Sequence, residues 1–302
     1  MTQTSAASNH WLEYHSASVG EIALQVLSQA QTAAILGTTS RGIFIQSSSR
    51  RVLFLSFERY RSPLTITLFG IPPRLRQLET GAAVEIAGGK MIIPAIQTAI
   101  LTTPETVWHN PAPSEIILPD AQRRAHLSFL AQQVPAEKGD QGLAGLLTVL
   151  LDFPGPTLAK EQQSLLINAW WLREAVRVGN TAAALQRVSR FLGLGRGLTP
   201  SGDDLALGLS LALNRWHRLL PPRLDLQRFN RRIQELAYQK TTSLSANLIE
   251  CATAGNSDER ITNVLDAIIT GKPAPQQCTL DWLQWGASSG IDALVGMSLA
   301  LT

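Results

Sequence analysis

Two cysteines, Cys251 and Cys278, are all that a chain of 302 residues carries. Their number excludes a disulfide framework and their spacing a cysteine-based metal motif, so both read as small buried residues. The five histidines, His10, His15, His109, His126 and His217, show no metal-ligand spacing either and read as surface or packing residues. No apolar run reaches the length of a membrane span, and the first twenty residues lack the apolar stretch of a signal peptide. A cytoplasmic protein without membrane contact is therefore expected. Basic residues are scattered or paired, with no aromatic interleaving, and the net charge is only +3. That balance argues against nucleic acid as a partner. Lysine is scarce: 21 of the 26 basic residues are Arg, a bias that suits bidentate contacts with carboxylate or phosphate.

What the chain has in abundance is apolar residues, 45% of the total against 16% charged, enough for a large core. It also writes one phrase twice, Ser-Gly-x-Asp-x-x-x-Gly-x-Ser-Leu-Ala-Leu, from Ser201 to Leu213 and again from Ser289 to Leu301. Each copy reads as the start of a helix, with the Ser as N-cap and the Asp three residues on reaching back to it. The small residues Gly208 and Ala212, and Gly296 and Ala300, fall four apart on one face, where another backbone can come close.

The first copy follows Gly193-Leu-Gly-Arg-Gly-Leu-Thr-Pro-Ser-Gly-Asp-Asp204. Alternating glycines permit positive φ and leave amides uncovered, and a helix N-terminus adds unpaired donors and partial positive charge. The segment therefore reads as an anion site. It is neither the dinucleotide fingerprint, since what precedes it is helical in pattern, nor a Walker loop, since no Lys follows its last glycine. Two adjacent carboxylates would repel an anion unless a cation such as Mg²⁺ lay between, which makes Asp203 and Asp204 the expected metal ligands or proton acceptors.

Along the chain the pattern changes once. Residues 1–12 read as a disordered tail. Short β-type runs follow at 34–38, 42–46, 52–57, 64–69, 83–87, 91–94 and 96–102, with turns at Ser47-Ser48-Ser49 and Gly88-Gly89. Pro111, Pro113 and Pro119 mark a stiff linker. Beyond it the period is near 3.6, which predicts helices at 120–134, 140–152, 159–178, 181–191, 202–218, 225–239, 243–254, 258–270, 279–286 and 289–301. The expected class is α+β: a β-rich domain at 13–118, sandwich or barrel, then an all-helical domain at 119–302 holding the repeated capped helix. Trp170-Trp171 and Trp282/Trp285, at helical spacing in apolar stretches, are expected in the core.

The glycine loop, then Thr241-Thr242-Ser243-Leu244-Ser245, then Gly286 to Gly296, resemble in order the AllH-like family, which is associated with a subunit of oxamate carbamoyltransferase. The resemblance covers about residues 190–302, and more loosely Ser62 to Ile66. The chain departs from the family pattern at Arg196, Ala287 and Ile291, where the family usually carries Pro, His and Trp. The resemblance implies partner subunits and a role in purine-nitrogen (allantoin) catabolism, where oxalurate and phosphate yield oxamate and carbamoyl phosphate.

Carbamoyl transfer needs a phosphate clamp, an acceptor clamp and donors on the carbonyl oxygen. The loop offers Gly193, Gly195, Arg196, Gly197, Thr199, Ser201 and Gly202 for the first, with Asp203 and Asp204 as the catalytic pair. The second copy offers Ser288, Ser289, Gly290 and Asp292, facing the first if a local two-fold relates them. Thr241, Thr242 and Ser245 read equally as ligand contacts or as a simple N-cap. Three readings remain from sequence: a carbamoyltransferase-type subunit, a non-catalytic module sensing a small anion, and an assembly subunit whose glycines serve tight packing.

Overall fold

The computed structural model describes residues 11–70, 72–103, 106–135, 141–153, 159–219 and 224–302. The expected tail lies outside them up to residue 10, and the expected helix at 140–152 does so at residue 140. Two units emerge, Met1–His109 and Asn110–Thr302.

The first unit is a closed β-barrel. Its strands are β1 (Leu12–Gly20), β2 (Gln31–Thr39), β3 (Gly42–Ser47), β4 (Val52–Ser56), β5 (Thr65–Leu68), β6 (Ala83–Ala87), β7 (Lys90–Ile93) and β8 (Thr98–Leu101). They run in the order β5-β4-β3-β2-β6-β7-β8-β1, and β1 pairs again with β5 to close eight strands into a ring. Closure removes the exposed edges that an open sheet would leave. A two-residue strand, β9 (Val107–Trp108), adds to the end of β1. The expected turn at Gly88-Gly89 joins β6 to β7 with both residues at positive φ, +58° and +75°, the geometry that matches the twist of a two-residue hairpin. Ile35, Ile43, Ile45, Leu53, Leu55, Ile66 and Ile100 fill the interior, with Ala23 and Leu27 of helix α1 (Glu21–Ser28) packed among them.

The second unit is helical, with no strand among its described residues. Its helices are α2 (Asp120–Gln132), α3 (Ala144–Leu150), α4 (Lys160–Arg177), α5 (Thr181–Val188), α6 (Ser201–Arg215), α7 (Leu226–Lys240), α8 (Ser243–Thr253), α9 (Glu259–Thr270), α10 (Pro275–Leu283) and α11 (Ser289–Leu301). The proline-rich segment before α2 is strapped onto this unit. Asn110 donates to the Ser257 carbonyl at 3.0 Å, Pro111 accepts from Arg215 at 2.9 Å, and the Leu118 amide donates to Ile269. At the centre lie α6 and α11, the two copies of the repeated phrase, buried along almost their whole length. None of the helices of the described residues is long and apolar enough to cross a membrane.

Two expectations are corrected here. The repeated serines open their helices but do not cap them: the N-cap positions are Pro200 and Ser288, and neither makes a side-chain capping bond. Trp170 and Trp171 are 43% and 55% exposed, so the apolar stretch that contains them is not core throughout; Trp282, fully buried, fits that expectation.

Candidate functional site

The repeat matters because α6 and α11 touch through equivalent positions. A Cβ on Gly208 would stand 1.9 Å from the Ala293 carbonyl oxygen, and one on Gly296 would stand 2.0 Å from that of Leu205. Ala293 and Leu205 occupy the same place in the two copies, so each glycine admits the other helix's backbone at the matching residue. The polar residues cross over in the same way. Asp204 of α6 accepts a hydrogen bond from Ser289 of α11, and Asp292 of α11 accepts one from Ser201 of α6. Thr199 and Ser289, 3.2 Å apart, bring the two helix starts together.

A third helix start joins them. Thr242 caps α8 by accepting from the Ser245 amide at 3.0 Å, as the N-cap reading of this segment required. The same hydroxyl donates to the Leu198 carbonyl at 2.7 Å, which ties α8 to the glycine loop. Thr241 donates to Asp203 Oδ2, and Ser245 also bonds that carboxyl. The N-terminal ends of α6, α8 and α11 thus meet behind residues 193–199.

The loop itself faces solvent. Gly193, Gly195, Arg196, Gly197 and Leu198 are exposed, and the three glycines sit at φ of +79°, +118° and +97°, open only to residues without a Cβ penalty. Two of the amides assigned to anion binding are engaged elsewhere: Gly193 donates to Asp203 Oδ1 at 2.7 Å and Gly202 to the Leu194 carbonyl at 2.9 Å. Gly202 and Gly290 are packing positions as well. A Cβ on the first would strike the Phe191 carbonyl, one on the second that of Trp282, and the Trp282 indole donates to the Gly290 carbonyl at 2.7 Å. The amides of Gly195, Arg196 and Gly197 have no acceptor among the described residues. The exposed Arg196 guanidinium likewise has no ion-pair partner among them.

Three buried carboxyls sit beneath this loop. Asp203, Asp204 and Asp292 are 1%, 2% and 0% exposed. Burial pushes Asp203 above the usual carboxylate range, against the opposing bonds from Thr241, Gly193 and Ser245. Burial likewise lifts Asp204 well above it, with the neighbouring Asp292 and Asp203 charges adding to the effect. Asp292 is raised to about 6 by burial, although Leu143, Ser288 and Ser201 all donate to it. Its oxygens hold the Leu143 amide at 2.6 Å and the Ser288 hydroxyl at 2.8 Å. Both oxygens of Asp203 are likewise occupied, whereas Oδ2 of Asp204 is buried without a hydrogen-bond partner.

These carboxyls do not fit Mg²⁺. A hard cation needs oxygens free to coordinate; here five of the six already accept hydrogen bonds, and only Oδ2 of Asp204 lacks a partner. Among the described residues no group of three His, Cys, Asp or Glu side chains is placed to hold a metal. By disfavouring charge on Asp204, burial also weakens the repulsion that adjacent carboxylates would exert on an anion.

The cluster carries residues that sequence did not single out. Gly142 and Leu143 close over Asp292, a contact across 149 positions for which no local pattern gives a signal. Of the departures from the family pattern, Ile291 is buried in the core, Ala287 is exposed, and Arg196 stands at the front of the loop.

The family described as oxamate carbamoyltransferase subunit AllH has a model that matches this chain. The match spans residues 191–301. It runs from the glycine loop to the end of α11 and covers a little over a third of the chain, including all of the three helix starts. No curated protein and no solved structure matches the chain.

Proposed function

We propose that the chain is a subunit of a carbamoyltransferase-type enzyme, acting on oxalurate, oxamate or carbamoyl phosphate in purine-nitrogen catabolism with partner subunits, and that it binds a small anion at the exposed loop of residues 193–199. The observation that carries the reading is the convergence of three helix N-termini behind an exposed loop in which the amides of Gly195, Arg196 and Gly197 and the Arg196 guanidinium are unengaged, within the part of the chain that matches the AllH family. Helix N-termini and free amides favour a negative ligand, and a guanidinium fork adds a bidentate contact to a carboxylate or phosphate.

The residues take separate roles. Gly195, Arg196 and Gly197 face the ligand's charged group. Thr199 and Ser289 stand at the meeting of the helix starts, with Ser288 beside them. Asp204, whose charged form burial disfavours, backs those hydroxyls and is the group assigned to give a hydrogen bond or a proton as charge develops on a carbonyl oxygen. Asp203, with Gly193, Thr241, Thr242 and Ser245, fixes the shape of the loop, and Asp292 with Ser201 does the same for α11. Gly202 and Gly290 let the backbones approach.

An alternative, a non-catalytic anion-binding or assembly module, draws on the same internal bonding, since most of the cluster already satisfies itself. Turnover separates the two. The chain is assayed with its candidate partner subunits for phosphate-dependent cleavage of oxalurate to oxamate. The enzyme reading expects turnover that requires this chain and that falls at least tenfold in Asp204→Asn with the melting temperature unchanged. Equal turnover by the partners alone contradicts it.

A further inference from the structure

The three buried carboxyls beneath the loop are not equivalent. Asp203 accepts from the Gly193 amide on Oδ1 and from Thr241 on Oδ2, and Asp292 from the Leu143 amide on Oδ1 and from Ser288 on Oδ2. On Asp204 the hydroxyls of Ser289 and Thr199 meet Oδ1, and Oδ2 is buried with no partner among the described residues. The repeat explains the difference. The residue that stands in the first copy where Ser288 stands in the second is Pro200, which has neither a hydroxyl nor an N–H to give. A donor aimed at a carboxyl oxygen stabilises the ionised form, whereas a buried oxygen without one leaves a negative charge uncompensated. Oδ2 of Asp204 is therefore where this cluster takes a proton.

The groups around Asp204 do not supply the missing positive charge. On its own helix stand Asp203 and, in the last turn, Arg215, which is held by Asp266 of α9. Asp292 is the one ionisable residue of α11. From α8 come Glu250, bonded to Tyr238 of α7, and the buried Cys251. The end of α7 brings Lys240, whose ammonium donates to the Ser189 carbonyl at 2.9 Å, and the loop brings the exposed Arg196. Two like charges thus act on Asp204 from inside the cluster, Asp292 and Asp203.

An anion on the loop adds a third. The loop is bonded to the carboxyls near both of its ends, through Gly193 to Asp203 and through Thr199 to Asp204, so charge placed on it lies close above them. We propose that a small carboxylate at the loop and a proton on Asp204 bind together, each favouring the other. This rests on the anion site proposed above and adds its dependence on pH. By linkage, the carboxylate binds most tightly where Asp204 of the free chain is already protonated. Its affinity falls as pH rises through that titration, by about tenfold per pH unit where one proton is taken up.

Calorimetric titration of the full chain with oxamate, whose carboxylate stays ionised throughout, tests this from mildly acidic to mildly basic pH. Pairs of buffers with different ionisation enthalpies count the protons taken up, and thermal melts at each pH check the fold. The wild type is expected to bind at least tenfold more weakly at the basic end and to take up a proton as affinity falls. Asp204→Asn, uncharged at every pH, is expected to bind oxamate with one affinity across the range and with no proton uptake, whereas Asp203→Asn and Asp292→Asn keep the dependence. Equal affinity at every pH, no proton uptake by the wild type, or a dependence that persists in Asp204→Asn would overturn the proposal and leave the anion site standing. Failure of oxamate to bind at any pH would overturn it as well, and if phosphate does not bind either, the anion site falls with it.

Discussion

Asp292 binds the helical unit together at a single carboxyl, since it holds the Leu143 amide, the Ser288 hydroxyl and the Ser201 hydroxyl at once. Burial raises it from 3.8 to about 6, so the folded chain keeps this proton over a range where the unfolded chain has lost it. The sign follows from proton linkage: a folded state that binds more protons loses stability as pH rises. The contribution is fully present below pH 3.8, is lost between there and about 6, and stays lost above. Urea denaturation across this range should show the decline in the wild type and a flatter profile in Asp292→Asn, whose amide keeps the oxygen that accepts from Leu143. Asp292→Ala should be less stable than Asp292→Asn by about 1–3 kcal/mol, because it leaves buried donors unpaired. At this scale the sequence was informative about which residues cluster and less so about what they do. The repeat brought Ser201, Asp204, Ser289 and Asp292 into view, but the exchange of partners between copies depends on the packing of α6 against α11. The protonation of the carboxyls depends on burial that no local pattern encodes.

The central element is the crossing of α6 and α11, where a methyl group at either glycine would overlap a carbonyl oxygen of the other helix. Gly208→Ala and Gly296→Ala should each destabilise the fold by about 1–3 kcal/mol or more, the cost of overpacking a core that cannot yield. Gly197→Ala is the contrast: it meets nothing within 4 Å and has only its φ of +97° to resist it. Its cost should be about 1–3 kcal/mol from backbone strain alone, with no change in the crossing. Wild-type spacing of the α6 and α11 backbones in a crystal structure of Gly208→Ala would contradict this account of the glycines.

Helices with a clear 3.6 period were legible to within a few residues, as with α4, α8 and α11, because their buried stripes are long. β1 was not, since its buried positions include Ser16 and Gly20 and its apolar residues do not alternate cleanly. Helix α1, eight residues long, and the two-residue β9 are too short for a period to show. In α4 the period was right but the side was not: Trp170 and Trp171 lie on the face that the core leaves uncovered.

For the whole molecule, the change from period two to period 3.6 was plain in the sequence, and a mixed chain with a β-rich first part and a helical second part is what the structure has. Barrel and sandwich could not be told apart, because closure depends on β1 meeting both β5 and β8, contacts between segments that are distant along the chain. The convergence of three helix starts has the same origin, since Thr199 meets Ser289 across 90 positions and Leu198 meets Thr242 across 44. What the anion reading adds to that geometry is a role for the one exposed arginine of the loop. Calorimetric titration of the full chain with phosphate, oxamate, oxalurate and carbamoyl phosphate tests it most directly, on wild type and on Arg196→Ala. The account expects at least one of these anions to bind the wild type and to bind Arg196→Ala about tenfold more weakly, a loss of about 1.4 kcal/mol, with both chains melting at the same temperature. Absence of binding by all four, or equal binding by the two chains, would contradict it.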